Sequence, residues 1–250
     1  AIATLIAQAV SAVLVTVTLM YRTEGMKLCL SQIRMYKRML QSILKIGLPA
    51  GFEAIMYSIS NIIVQVSINN FGVDTMAAWT AYSKIDFIFW MINSAFGISV
   101  MTFVGQNYGA GKWDRIRRGT KICLGMALIS AVFVSIILMS AERFLFGIFV
   151  NDAGVVEIGI HMMNVIAPAY LLFAFIEVFS GALRAQGAVV VSTLITMVGI
   201  CVLRMIWVTL VAAHGTLEQV IICYPITWAA GALAMSIYYI YKQRKIFQAR

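Results

Sequence analysis

This chain is poor in the residues from which soluble catalytic sites are built. Among its 250 residues are two histidines, four cysteines, three prolines and ten acids. Charged residues make up 12% of it, against roughly 25% in a soluble domain. His161 and His214 have no neighbouring set of ligands and are expected at the interface or in solvent. No Ser-His-Asp, Cys-His or HExxH arrangement can be assembled, so neither catalysis nor a structural metal is expected. Cys29, Cys123, Cys201 and Cys223 lack any paired spacing. That argues against a disulfide frame and a zinc site and leaves small apolar packing residues. The few prolines all fall in or at the start of apolar stretches. Pro49 suits a first helical turn, whereas Pro168 and Pro225 are expected to kink their helices in mid-span.

What the chain has in abundance is apolar residues, 62% of the total against about 45–50% in a globular domain. Seven stretches are long enough to cross a hydrocarbon core of roughly 30 Å, which takes about 20 helical residues. They run over residues 1–20, 46–70, 73–104, 119–140, 159–182, 187–212 and 217–241. Short segments of alternating polarity are missing, so bundled helices are the remaining way to satisfy backbone groups in lipid. The sequence reads as an all-α integral membrane protein.

Nineteen basic residues against ten acidic ones raise the question of nucleic acid, but the charges sort by loop. Residues 21–45 carry Arg22, Lys27, Arg34, Lys37, Arg38 and Lys45 against Glu24. The next loop has Asp74 and no base. Gly105 to Lys121 is basic again, and the loop with Glu142, Arg143, Asp152 and Glu157 is net acidic. Arg184, then Glu218, then Lys242, Arg244, Lys245 and Arg250 continue the alternation. By the positive-inside rule every second loop and the C-terminus are cytoplasmic. Bilayer, not nucleic acid, is the expected environment, in the plasma membrane of a cell and more specifically a bacterial inner membrane. Ala1 then lies outside without an initiator Met or a charged leader, so a fragment cut near the start of a transmembrane helix is expected.

Between the first two spans, Leu30, Ile33, Leu40, Ile43 and Leu44 recur near helical spacing with Lys27, Arg34, Lys37 and Arg38 mostly elsewhere. A basic amphipathic helix on the inner leaflet is expected there. "AERFLFGIFVNDAG" is expected to form an interfacial turn of helix on the outer side.

Charge inside a span costs about 2.5–3.5 kcal/mol even on lenient insertion scales, so it marks function. Glu53, Lys84, Asp86, Glu177 and Arg204 are the cases, with Glu53 and Glu177 toward the cytoplasmic third and the others nearer the middle or outer half. At 100° per residue Glu53, Tyr57, Ser60 and Asn61 share an arc with Gln65 at its edge. Ser83, Asp86, Trp90, Asn93, Ser94 and Gly97 share a second face, and Tyr170, Ala174, Glu177, Gly181 and Arg184 a third. These stripes predict a polar cavity between helices. Glu53, Asp86 and Glu177 are the candidates for holding a cation or proton. Tyr57, Asn61, Gln65, Trp90, Asn93, Ser94 and Tyr170 are the candidates for lining the cavity. Interhelical hydrogen bonding is the competing role for the serines and asparagines. Lys84 and Arg204 are expected to neutralise acids on other helices.

Thr102 to Gly119, "TFVGQNYGAGKWDRIRRG", looks at first like a phosphate loop. Gln106 stands where a Walker A motif needs its first glycine and Trp113 where it needs a hydroxyl, and no strand precedes it. The segment instead resembles the cytoplasmic loop between the second and third helices of the C-terminal half of multidrug and toxic compound extrusion (MATE) transporters. "LKIGLPAGFE", Leu44 to Glu53, is similar to the entry of that half's first helix, and "SGALRAQG", Ser180 to Gly187, to the end of its fourth. The resemblance implies two six-helix lobes. Residues 1–20 would be the last helix of a truncated N-terminal half, 21–45 the cytoplasmic connection and 46–250 the C-terminal lobe. It also implies an antiporter in which entering sodium ions or protons drive organic, often cationic, compounds outward. The partners would be the bilayer, a small organic substrate and the missing lobe, with no cofactor beyond the coupling ion. Glu53 and Glu177 lie in helices whose acids serve the ion in the family. Asp86 follows "SKI", where the family often has a basic-Ile-Asp pattern, which implies a structural role for Lys84 and Asp86. A lipid-linked oligosaccharide flippase of the same superfamily is the alternative, against which the cavity-facing acids argue. A heptahelical receptor is a further one, although the last span has no retinal-binding lysine.

Overall fold

A computed structural model describes residues 2–21, 28–29, 31, 34–211 and 215–248. All regular structure among them is helical. Seven helical segments are long and apolar enough to cross a membrane: Ile2–Tyr21, Lys37–Asn69, Val73–Gly109, Trp113–Ser140, Ala153–Ala185, Val189–Leu210 and Leu217–Ile246. The chain divides into two units, Ala1–Lys45 and Ile46–Arg250.

The first unit contains α1 (Ile2–Tyr21), which buries none of its side chains. Thr16 and Thr18 return their hydroxyls to the carbonyls of Ala12 and Leu14, the usual solution for a hydroxyl in an apolar helix. α2 (Lys37–Asn69) starts in this unit and ends in the second. The expected amphipathic segment is therefore, over Lys37 to Lys45, the first turns of a long helix and not a separate surface element. Lys27, Leu30, Ile33 and His214 lie outside the described residues. Pro49 is inside α2, not in its first turn as expected.

The second unit continues with α3 (Val73–Gly109), α4 (Trp113–Ser140), the short α5 (Glu142–Gly147) and α6 (Ala153–Ile166). A 3₁₀ turn, Ala167–Ala169, carries Pro168 and breaks the fifth span in two before α7 (Tyr170–Ala185), as the missing proline N–H requires. α8 (Val189–Thr196) passes through a π-helical stretch, Met197–Val202, into α9 (Leu203–Leu210). α10 (Leu217–Ile221) and α11 (Cys223–Gln248) complete the bundle. Pro225 stands in the first turn of α11, where no N–H is needed, and so corrects the expected mid-span kink.

α7 is the centre of the unit, packed against α3, α4, α8 and α11. Lipid tails are as apolar as leucine, so close approach and hydrogen bonds hold such a bundle together. Gly181 on α7 sits against the carbonyl of Gly97 and the side chain of Val100 on α3, where a Cβ would lie 2.8 Å and 2.9 Å from them. Ser135 reaches across to the carbonyl of Ala167, at the proline turn, at 2.7 Å. Away from this centre, Ile129, Phe133 and Ile136 on α4 are 72%, 63% and 57% exposed, an outward apolar surface suited to lipid. Three turns use glycine in the left-handed region: Gly72 (φ 98°), Gly111 (φ 66°) and Gly187 (φ 79°). Glu142 to Gly147 is helical, as expected, and Asp152 caps α6 by accepting from the N–H groups of Gly154 and Val155.

Candidate functional site

The polar faces come together as two clusters in the second unit. Asp86 and Gly97, which mark them on α3, are separated by about 16 Å at a rise of 1.5 Å per residue.

The first cluster joins α2, α7 and α8. Arg184 donates from Nη2 to both carboxylate oxygens of Glu53, at 2.6 and 2.7 Å, and Thr193 donates to Oε2 at 3.0 Å. The Arg184 and Glu53 side chains are 29% and 13% exposed, so the pair is substantially desolvated. Glu177 lies two turns before Arg184 on α7, with its carboxylate over Gly97, in space that a Cβ there would occupy. It makes no hydrogen bond to a described residue, and Arg184 and Glu53 are the charges that act on it. The sequence put Glu177 and Arg184 on one face, but the partnership of Arg184 with Glu53 was not foreseen.

The second cluster surrounds Asp86. Tyr170 donates to one carboxylate oxygen and Trp90 to the other, at 2.6 Å for the indole. Tyr82 adds its hydroxyl 3.3 Å from that of Tyr170, whose ring stacks on Phe89 at 3.8 Å between centroids. Asp86 thus has partners on both oxygens, within an aromatic wall. Trp90, Phe173, Trp228 and Tyr224 extend that wall edge to face, with centroids 4.6 Å apart for Trp90 and Phe173 and 5.5 Å for Tyr224 and Trp228.

A cavity of about 440 Å³ opens beside this cluster, lined by Tyr57, Asn61 and Gln65 of α2, by Trp79, Tyr82, Ser83, Asp86, Phe87 and Trp90 of α3, and by Ile166, Arg204, Tyr224 and Trp228. Its size is in the range of small-molecule sites. Of the expected lining residues, Tyr57, Asn61, Gln65 and Trp90 are there. Tyr170 is buried behind the wall, Asn93 is buried in the bundle, and Ser94 is exposed; none of the three lines the cavity.

Lys84 and Arg204 do not pair with acids as expected. Neither lies in ion-pair reach of an acid among the described residues, whereas Arg184 pairs with Glu53 and Arg143 with Glu157. Lys84 points outward from α3, exposed, beside a shallower cavity with Gln65 and Phe87. Arg204 is 1% exposed, donates from Nη1 to Asn61 Oδ1 at 3.1 Å, and lies 4.3 Å from the ring centroid of Tyr224 and 5.8 Å from that of Tyr57. Trp79, Tyr82, Tyr224, Trp228 and Thr193 are site residues that sequence reasoning missed. In a chain with 12% aromatics, nothing local separates a cavity wall from ordinary packing.

Residues 49–210 match the MatE protein family. The chain is 26% identical over 220 residues to the probable multidrug resistance protein YoeA of Bacillus subtilis, covering 86% of this chain and 47% of that protein. It is 22% identical over 158 residues to human multidrug and toxin extrusion protein 1, covering 61% of this chain and 28% of that one. It superposes on an outward-facing MATE family multidrug resistance transporter of the MOP superfamily with a TM-score of 0.88 and 17% identity, covering 98% of this chain and 56% of that one. The chain spans about half the length of such relatives. The match runs through the helices that carry Glu53, Asp86, Glu177 and Arg204, and it replaces the heptahelical alternative: the chain belongs to the MatE family, whose members are multi-pass membrane transporters and not enzymes.

Proposed function

We propose that this chain is the C-terminal lobe, with one preceding helix, of a cation-coupled antiporter that exports organic compounds by alternating access. Residues 1–20 end an N-terminal half, 21–45 connect the halves, and 46–250 form the lobe. The protein sits in a plasma membrane, in a bacterium the inner one, with the basic loops and the C-terminus cytoplasmic. The observation that carries the reading is the pair of desolvated acid clusters, one of them in the wall of a cavity of about 440 Å³.

The two clusters suit different tasks. Glu177 has carboxylate lone pairs free of hydrogen bonds, with the Glu53–Arg184 pair as its charged surroundings. A sodium ion or proton arriving there neutralises the second acid of a site that already holds one arginine. Its binding weakens Arg184's attraction to Glu177 and leaves Arg184 to Glu53 alone. The cavity beside Asp86 offers flat aromatic walls to an organic substrate. Sodium against proton is a matter for transport assays at varied ion gradients. In the full-length protein, Glu53→Gln, Asp86→Asn and Glu177→Gln are expected to abolish dye efflux from cells while membrane levels stay normal. Unchanged efflux in all three removes the assignment of the acids.

A further inference from the structure

Arg204 is a buried cation with no acid in ion-pair reach among the described residues. Taking a guanidinium out of water costs several kcal/mol unless its donors and its charge are met. Of its donors, Nη1 meets the neutral Asn61 side chain, while Nε and Nη2 are buried and meet no acceptor. The faces of Tyr224 and Tyr57 supply partial compensation through cation–π contact.

The unmet groups around the cavity lean one way. Besides Arg204, the indole N–H of Trp228 and the hydroxyl of Tyr57 are buried without partners, and both residues line the same cavity. Asp86, the acid in that wall, already accepts on both oxygens from Tyr170 and Trp90. The buried groups of the wall that lack partners can all donate, and its one carboxylate is already engaged. A ligand that completes it brings an acceptor with negative charge, carried on a flat apolar body that suits Trp79, Trp90 and Trp228.

We propose that the α2–α3–α9–α11 cavity binds aromatic carboxylates through Arg204. This rests on the cavity being a transport site, and it adds an anionic ligand class to one otherwise read as taking cations. Arg204 Nε and Nη2 are occluded in this conformation. The ligand reaches them as the Tyr57 ring, 5.8 Å from the guanidinium carbon, moves aside. The carboxylate then takes a two-point grip on the guanidinium that Asn61, with one oxygen, does not provide.

The test uses the full-length transporter in detergent, with tryptophan fluorescence reporting binding of three probes: 2-naphthoate, its methyl ester and 2-naphthylmethylammonium. Wild type is expected to bind naphthoate at least tenfold more tightly than the ester. Arg204→Gln is expected to erase that ratio while ammonium binding persists, which also shows that the variant is folded. Asn61→Asp supplies the missing carboxylate from α2. It is expected to raise the melting temperature and to abolish naphthoate selectivity by occupying the guanidinium. Equal binding of naphthoate and ester by wild type, or a ratio unmoved in both variants, overturns the proposal. If Arg204→Gln fails to fold, Asn61→Asp decides by itself. Loss of ammonium binding in wild type argues against the transport-site reading and leaves the naphthoate comparison standing.

Discussion

A single nitrogen of Arg184 holds both oxygens of Glu53, at 2.6 and 2.7 Å, and so ties α7 to α2 across a partly desolvated gap. Removing one partner of such a pair strands the other charge, which costs about 3–5 kcal/mol when burial is complete. Arg184 is 29% exposed, and the loss in Arg184→Met is expected to be about 2 kcal/mol. Glu53→Met with Arg184→Met is expected to recover most of it. A thermal-unfolding double-mutant cycle in detergent measures this, and strict additivity of the two single losses contradicts the pairing.

Gly97 and Gly181 give a second pair of predictions with different relief. A Cβ on Gly97 collides with the mobile end of Glu177, whereas one on Gly181 collides with backbone of α3. Overpacking of this kind costs about 1–3 kcal/mol. Glu177→Ala is therefore expected to restore the melting temperature of Gly97→Ala and to leave that of Gly181→Ala depressed. Rescue of both, or of neither, is the result that speaks against the described contacts.

Tyr170→Phe keeps the ring stacked on Phe89 and deletes the donor to Asp86. Leaving a buried acceptor short of a charged hydrogen bond costs about 1–3 kcal/mol. The variant is expected to melt lower than wild type, and Asp86→Asn in the Tyr170→Phe background is expected to melt no lower than Tyr170→Phe. A full further loss there uncouples the two residues.

In the turn after α3 the glycines are not equivalent. Gly109 is helical with open space where a Cβ would go, and Gly111 has φ 66°. Gly109→Ala is expected to be neutral or stabilising by up to about 1 kcal/mol, while Gly111→Ala costs about 1–2 kcal/mol through the left-handed backbone. Comparable melting temperatures for the two variants refute the distinction.

The helices were legible because a bilayer imposes length and apolarity on every crossing segment, and the spans read from composition overlap the seven observed ones. Their ends were less so. Lys37 to Lys45 joins α2 because helical backbone bonds continue through polar residues wherever nothing breaks them. Pro225 carries no kink because the chain has already broken at Ile222, a position without a proline or glycine signal. At the site, 100° spacing found the faces of Glu53, Asp86 and Glu177, since those carboxylates stand out in an apolar helix. It could not say which face meets which. Arg184 was visible as a loop charge and Arg204 as a span charge, and their observed partners are the reverse of what that suggested: the loop-end arginine holds the acid, and the deep one holds an amide and two rings.

The contact between Gly97 and Gly181 brings two backbones within side-chain-free reach. Sliding α3 past α7 by one residue would drive Val100 or a larger neighbour into that notch, so the two helices are keyed in a single register. Asp86 rides on one and its donor Tyr170 on the other, and Glu177 rests on the notch itself. The Asp86–Tyr170 contact and Glu177 therefore travel together at a fixed spacing. Whatever rearrangement a transport cycle requires has to occur around this keyed pair, in α2, in the π-helical stretch before Arg204, or against the rest of the transporter.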